Sequence, residues 1–174
     1  MTVSIYLGHG ASGTSASMAP FVDGLRRRGV DAHAIDLPKR KAEEAVPVFR
    51  SIVPAGPSIV VGGHSYGGRV ASLAVADTPD DWAALVLFSY PLHRPGAPSI
   101  ERTSHWSRIS CPVLLLSGEA DPFARIALLR KAVRRLPTAE LVTYPRLGHT
   151  LKPVLDDVLD RAAEFLRNVR IDVP

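Results

Sequence analysis

The sequence predicts an α/β protein, a doubly wound parallel sheet of six strands with helices on both faces. Three observations lead there. Short β-favouring runs alternate with helix-like stretches along all 174 residues. Several of those runs are continuously apolar, as strands buried on both faces are. The composition, 46% hydrophobic and 22% charged, suits an ordinary packed core.

In chain order, Val3–Leu7 is the first β-favouring run. Ser17–Arg28 spaces Met18, Phe21, Val22 and Leu25 along one helical face, and Gly29 reads as its stop. Val30–Ile35 reads as the second strand. Residues 39–52 read as a helix interrupted by Pro47, because proline lacks the N–H that an interior helical position donates. Ser58–Gly62 is a compact apolar strand, and a helix of small residues follows over 66–76. Ala84–Phe88 is the fourth strand. The stretch 89–108 is loop-rich, with Pro91, Pro95, Gly96 and Pro98. Val113–Ser117 is the fifth strand, Phe123–Leu136 an amphipathic helix and Glu140–Tyr144 the sixth strand. In the last helix, Val154, Leu155, Val158, Leu159, Ala162, Phe165, Leu166 and Val169 share one face. With no repeat, low-complexity tract or linker, residues 1–174 read as a single domain.

Composition narrows the function classes. The single cysteine, Cys111, cannot form an intramolecular disulfide and reads as a small buried hydrophobe. No Cys/His cluster has zinc spacing, so no metal is expected. The N-terminus lacks a basic region followed by a long apolar one, and no run approaches the roughly 20 residues of a membrane span. A cytoplasmic protein without a membrane partner is expected. The net charge is +4, with a pI near 9.6. Its clusters, Arg26–Arg28, Lys39-Arg40-Lys41 and Arg134-Arg135, carry no interleaved aromatics and accompany no nucleic-acid motif. They read as solvated surface rather than a nucleic-acid site, with a preference for acidic substrates left open.

The motif that carries chemistry is Gly63-His64-Ser65-Tyr66-Gly67, a match to G-x-S-x-G. It directly follows one predicted strand and directly precedes a helix. A turn that tight strains the backbone at Ser65, and glycines at 63 and 67 remove Cβ atoms that would collide there. The turn lifts the Ser65 hydroxyl above the C-terminal edge of the sheet. Helix capping alone would explain a serine at this position but not the paired glycines.

A serine hydroxyl needs a base. Three histidines follow Ser65, namely His93, His105 and His149. Only His149, in Leu147-Gly148-His149-Thr150, lies between the last strand and the last helix, at the same sheet edge as Ser65. An acid is expected after the fifth strand, within Ser117-Gly118-Glu119-Ala120-Asp121-Pro122-Phe123. Asp121 is preferred, with Glu119 as the fallback. Asp121 followed by Pro122 also suits a helix N-cap, and one carboxylate is not expected to fill both roles easily. The first strand runs into Gly8-His9-Gly10-Ala11-Ser12-Gly13. This is no P-loop, because no Gly-Lys-Ser/Thr follows.

These parts, His9-Gly10-Ala11, Gly63–Gly67, Gly118–Phe123 and Gly148-His149, resemble the α/β-hydrolase superfamily along the whole chain. The runs His9–Gly13 and Tyr90-Pro91-Leu92-His93-Arg94-Pro95-Gly96 are similar to a dienelactone-hydrolase-like subgroup that includes testis-expressed hydrolase-like proteins. Dienelactone hydrolases proper carry cysteine at the elbow, where this chain has serine. The resemblance implies a minimal hydrolase fold without a lid, lacking the family's first two strands, with sheet order 2-1-3-4-5-6. It implies Ser65, Asp121 and His149 as nucleophile, acid and base, with the backbone N–H groups of Ala11 and Tyr66 as the oxyanion hole. His9, Tyr90, Leu92 and His93 are expected to border the substrate. The implied activity is hydrolysis of a small carboxylic ester or thioester through an acyl-serine, with no cofactor. Amidase or acyltransferase chemistry uses the same groups, and a non-catalytic binding or scaffold protein on this fold is the alternative class.

Overall fold

The computed structural model describes residues 3–99 and 101–169. Six strands form one sheet: β1 (Ser4–Gly8), β2 (Asp31–Ile35), β3 (Gly56–His64), β4 (Trp82–Phe88), β5 (Val113–Gly118) and β6 (Ala139–Tyr144). Their order is β2-β1-β3-β4-β5-β6, and all five pairings are parallel. This is the doubly wound parallel sheet expected from the sequence, in the strand order that the resemblance implies. The helices are α1 (Ala19–Arg26), α2 (Ala42–Ile52), α3 (Tyr66–Asp77), α4 (Ile126–Val133) and α5 (Leu155–Asn168).

Alternation along the central strands feeds two cores. Val60, Ala84, Val86, Phe88, Leu114 and Leu116 face α1 and α5. Val61, Leu85, Leu87, Val113 and Leu115 face α2, α3 and α4. Because successive residues of a strand point to opposite faces, a strand covered on both sides needs an unbroken apolar run. The helices thus cover both faces of the sheet, α1 and α5 on one and α2, α3 and α4 on the other.

Two helices depart from expectation. Pro47 lies inside α2 rather than breaking it. Ala42, Ala45, Val46 and Phe49 bury one face of that helix, while Pro47 is exposed, so water can reach the carbonyl left without a donor. The helix expected over 123–136 is shorter. Residues 121–124 form a turn in which Ala124 N–H donates to the Asp121 carbonyl at 3.1 Å, and α4 starts only at Ile126.

Among the described residues of the segment 89–108 the longest helical element is the 3-10 turn Trp106–Arg108. The segment crosses from β4 to β5 by folding into the core beside α3. Tyr90, Leu92, Trp106 and Ile109 are all buried there, with the Tyr90 and Trp106 rings 5.0 Å apart. His105 Nε2 meets Ser72 Oγ of α3 at 2.8 Å. No helical lid follows β4 among the described residues.

Candidate active site at the C-terminal edge of the sheet

Ser65 caps α3 with φ 51° and ψ −113°, outside the regions a residue with a Cβ prefers. The chain tolerates this because β1 and the elbow approach closely. A Cβ on Gly67 would lie 2.2 Å from the Gly8 carbonyl, so only glycine fits. The Ser65 N–H donates to the Phe88 carbonyl at 2.9 Å, which anchors the turn to β4.

The loop after β6 is held against the end of β5. Ala120 N–H donates to the Leu147 carbonyl at 2.9 Å, and Glu119 N–H to the Tyr144 carbonyl at 2.9 Å. A Cβ on Gly118 would meet the Leu147 and Gly148 carbonyls at 2.2 and 2.3 Å, so Gly118 permits this approach. The result is a line of side chains. His149 Nε2 is 2.9 Å from Ser65 Oγ, and His149 Nδ1 is 2.7 Å from Asp121 Oδ2. A carboxylate only accepts, so Nδ1 carries the proton and Nε2 accepts from the serine hydroxyl. The Asp121 side chain is fully buried and that of His149 is 24% exposed.

Asp121 holds two partners at once, contrary to the expectation that capping and pairing compete. Oδ1 accepts the Phe123 N–H at 2.8 Å while Oδ2 faces His149. Two carboxylate oxygens suffice because the backbone turns here instead of starting a helix. Glu119 is directed elsewhere: its Oε1 accepts from Arg130 at 2.9 Å and from Thr143 at 2.7 Å. The N–H groups of Ala11 and Tyr66 have no hydrogen-bond acceptor among the described residues. Tyr66 is the first residue of α3, where an unpaired N–H and the helix dipole favour negative charge.

Of the four residues expected to border the substrate, Tyr90 and Leu92 are corrected, while His93 lines a cavity between the loops after β4 and β5 together with Asp121. Tyr90 and Leu92 belong to the core facing α2, α3 and α4, and the Tyr90 hydroxyl donates to the Arg102 carbonyl at 2.6 Å. Burial pushes that phenol up to about 12. His93 is buried with both ring nitrogens used. Nδ1 donates to the Arg94 carbonyl at 2.8 Å, and Nε2 accepts the Arg125 N–H at 3.0 Å. His9 is likewise buried, bonded to the Gly10 carbonyl at 2.7 Å and to the Leu37 N–H at 2.9 Å. These imidazoles tie loops together and leave no ring nitrogen for a ligand.

Two neighbours of His149 were not singled out from the sequence. The Phe123 ring centroid lies 4.5 Å from that of His149, and His64 lies at 5.4 Å. Burial, then the neighbouring His149, lowers the His64 imidazole to about 4, so it is neutral near pH 7. Its place inside the motif, one residue before Ser65, was the available signal. Cys111 is buried, which raises its thiol to about 11 and keeps it unreactive. Among the described residues no three His, Cys, Asp or Glu side chains gather as a metal-binding group, and no helix is long and apolar enough to cross a membrane.

Solved structures share this architecture at low identity. Est1E from Butyrivibrio proteoclasticus, solved with ferulic acid bound, is 18% identical with a TM-score of 0.77, over 97% of this chain and 89% of that one. A monoacylglycerol lipase from Paleococcus ferrophilus is 18% identical with a TM-score of 0.79, over 98% and 97%. The esterase Pf2001 from Pyrococcus furiosus is 17% identical with a TM-score of 0.76, over 95% and 81%. At these identities the likeness establishes the fold. Residues 36–169 match the family model described as "Alpha/beta hydrolase domain", a span that takes in the elbow, the acid turn and the His149 loop, and the chain therefore belongs to the α/β-hydrolase family.

Proposed function

We propose that this hydrolase is a serine hydrolase that cleaves a small carboxylic ester or thioester through an acyl-Ser65 intermediate. The observation that carries the reading is the line Ser65 Oγ, His149 and Asp121, with separations of 2.9 and 2.7 Å. In the proposed reaction His149 Nε2 takes the Ser65 proton as Oγ attacks the substrate carbonyl. The Ala11 and Tyr66 N–H groups receive the oxyanion, Tyr66 with the added field of the α3 N-terminus. Collapse expels the alcohol or thiol, which leaves with the proton from His149. Water, activated by the same imidazole, then releases the acid. Asp121 holds the imidazole in the Nδ1–H tautomer and stabilises the imidazolium. The Phe123 ring, tilted against that of His149, limits the imidazole's other orientations.

The reading takes the chain as one domain acting in the cytoplasm, with a small acyl compound as its substrate and no metal, nucleic acid or membrane partner. Its place in the dienelactone-hydrolase-like subgroup rests on the runs His9–Gly13 and Tyr90–Gly96. Absence of a lid makes for a shallow site. Long acyl chains then gain little of the roughly 0.8 kcal/mol per buried CH₂ that a deep pocket supplies. The test is labelling with a fluorophosphonate probe, followed by mapping of the modified residue. Modification of Ser65, with p-nitrophenyl butyrate turned over faster than the palmitate and no inhibition by chelators, supports the reading. An unlabelled Ser65 with no turnover across ester, thioester and lactone panels defeats it.

A further inference from the structure

The basic run Lys39-Arg40-Lys41, read from sequence as solvated surface, lies in a particular place. It belongs to the loop between β2 and α2, and that loop is tied to both sides of the candidate site. Leu37 N–H donates to His9 Nε2 at 2.9 Å, and His9 begins the loop that holds Ala11. The Tyr66 hydroxyl donates to the Pro38 carbonyl at 2.9 Å, and Tyr66 directly succeeds Ser65. Arg40 N–H closes back on the same carbonyl at 2.8 Å. The strip thus lies one tyrosine side chain away from the residue after the nucleophile.

All three cations are exposed, and none forms an ion pair among the described residues. Nearby carboxylates are mostly engaged elsewhere. Asp36 is held by the N–H and hydroxyl of Ser15, and Glu43 by Arg69, leaving Glu44 alone on the first turn of α2. The charges do not serve the helix either. Lys41 is the N-cap of α2 without a side-chain capping bond, and cations beside a helix N-terminus are unfavourable. A local rule broken next to a candidate site indicates a function at that position.

The other flank of the site is differently charged. A cavity of about 600 Å³ between the loops after β4 and β5 is lined by Arg125, but also by Glu119 and Asp121. Glu119 is already held by Arg130, and the Asp121 carboxylate there offsets the single Arg125, so an anion is favoured at the Lys39–Lys41 flank, where three cations lie together.

We infer that the ester or thioester taken at Ser65 carries an anionic group, a carboxylate or a phosphate, away from its reacting carbonyl, and that Lys39, Arg40 and Lys41 hold that group. This rests on the acyl-serine reading of the site.

The experiment compares matched substrates. S-acetylpantetheine is set against S-acetylphosphopantetheine, and p-nitrophenyl butyrate against mono-p-nitrophenyl glutarate. In wild-type protein at low salt, kcat/KM for the anionic member of at least one pair should be higher by about tenfold, three exposed charge contacts combined. The pair that responds separates phosphate on the thiol side from carboxylate on the acyl side. The preference should fade toward one at about 0.5 M salt, because surface charges are screened. Combined Lys39→Gln, Arg40→Gln and Lys41→Gln should bring the ratio to about one at low salt. Arg134→Gln, at the far end of α4, should leave it as in wild type. Equal rates within both pairs, or a preference that survives salt or the triple substitution, overturn the inference while the neutral esters still report an active hydrolase. The wild-type salt titration decides the matter even if the triple variant fails to fold. Loss of turnover for every substrate with Ser65 unlabelled overturns the hydrolase reading, and this inference with it.

Discussion

Two serines end neighbouring strands at positive φ. Ser65 lies at the end of β3 with φ 51°, and Ser89 at the end of β4 with φ 49°. Each donates its N–H to the next strand, Ser65 to Phe88 at 2.9 Å and Ser89 to Leu116 at 2.8 Å. Both carry the strain of a side chain at positive φ. Beyond these turns the two chain segments diverge. Ser65 opens α3 and meets His149 from the loop after β6. Ser89 leads into Tyr90 and Pro91, which enter the core, and it is buried with a hydroxyl that has no protein partner. A strained turn presents a hydroxyl at the sheet edge. A base and a route to solvent come only from chain that crosses over from elsewhere.

The largest expected effect separates the two serines directly. Ser65→Ala should reduce ester turnover by about 10⁶ and abolish probe labelling, whereas Ser89→Ala should keep turnover within about twofold. Comparable losses from both would erase the distinction. Next in size is the base's own support. Asp121→Asn should lower kcat by about 10³–10⁴ with little change in KM, because the imidazole loses its preferred tautomer. Glu119→Gln, which touches Arg130 and Thr143 instead, should stay within about threefold in the same assay.

A third expectation concerns acid. Burial, followed by His149 for the one and Arg108 for the other, lowers His64 and His105 to about 4. Both are neutral in the fold, while an unfolded histidine titrates near 6.5. As pH falls from about 6.5 to about 4 the unfolded state binds more protons, and stability drops by up to about 1.4 kcal/mol per pH unit for each residue. Denaturant midpoints across that window should show the slope, and His105→Gln should reduce it. An unchanged slope would mean that His105 is protonated in the native state. The smallest effect sharpens the comparison again. Ser89→Gly removes a buried hydroxyl without a protein partner and suits φ 49°, against the added freedom glycine gives the unfolded chain. A net gain of about 1 kcal/mol by urea denaturation is expected.

Much of the fold was legible in the sequence for a definite reason. Strands buried on both faces need unbroken apolar runs, and β3, β4 and β5 show them as Val60-Val61, Ala84–Phe88 and Val113–Leu116. Helix ends were less legible. Asp121-Pro122-Phe123 suits a helix start as well as it suits the observed turn, and only the second partner of Asp121 decides between them. Ser65, Asp121 and His149 could be singled out because each lies just beyond a strand end and all strands run the same way.

The residues of the β4–β5 crossover could not be read in the same manner. Tyr90 and Leu92 also lie just past a strand end, yet they turn inward and pack with Trp106 in the core beside α3. His9, expected to border the substrate, ties two loops together, while His64, given no role from the sequence, lies beside His149. The sequence by itself determined the strand runs, the apolar faces of the helices and the residues at each strand end, with Asp121 preferred to Glu119. These derive from local pattern, whereas the strand order came through the family resemblance. Which side chains at that edge face the site and where Lys39-Arg40-Lys41 lies were decided only in the tertiary structure. Each depends on contacts between segments far apart in the chain, and no local period encodes such contacts.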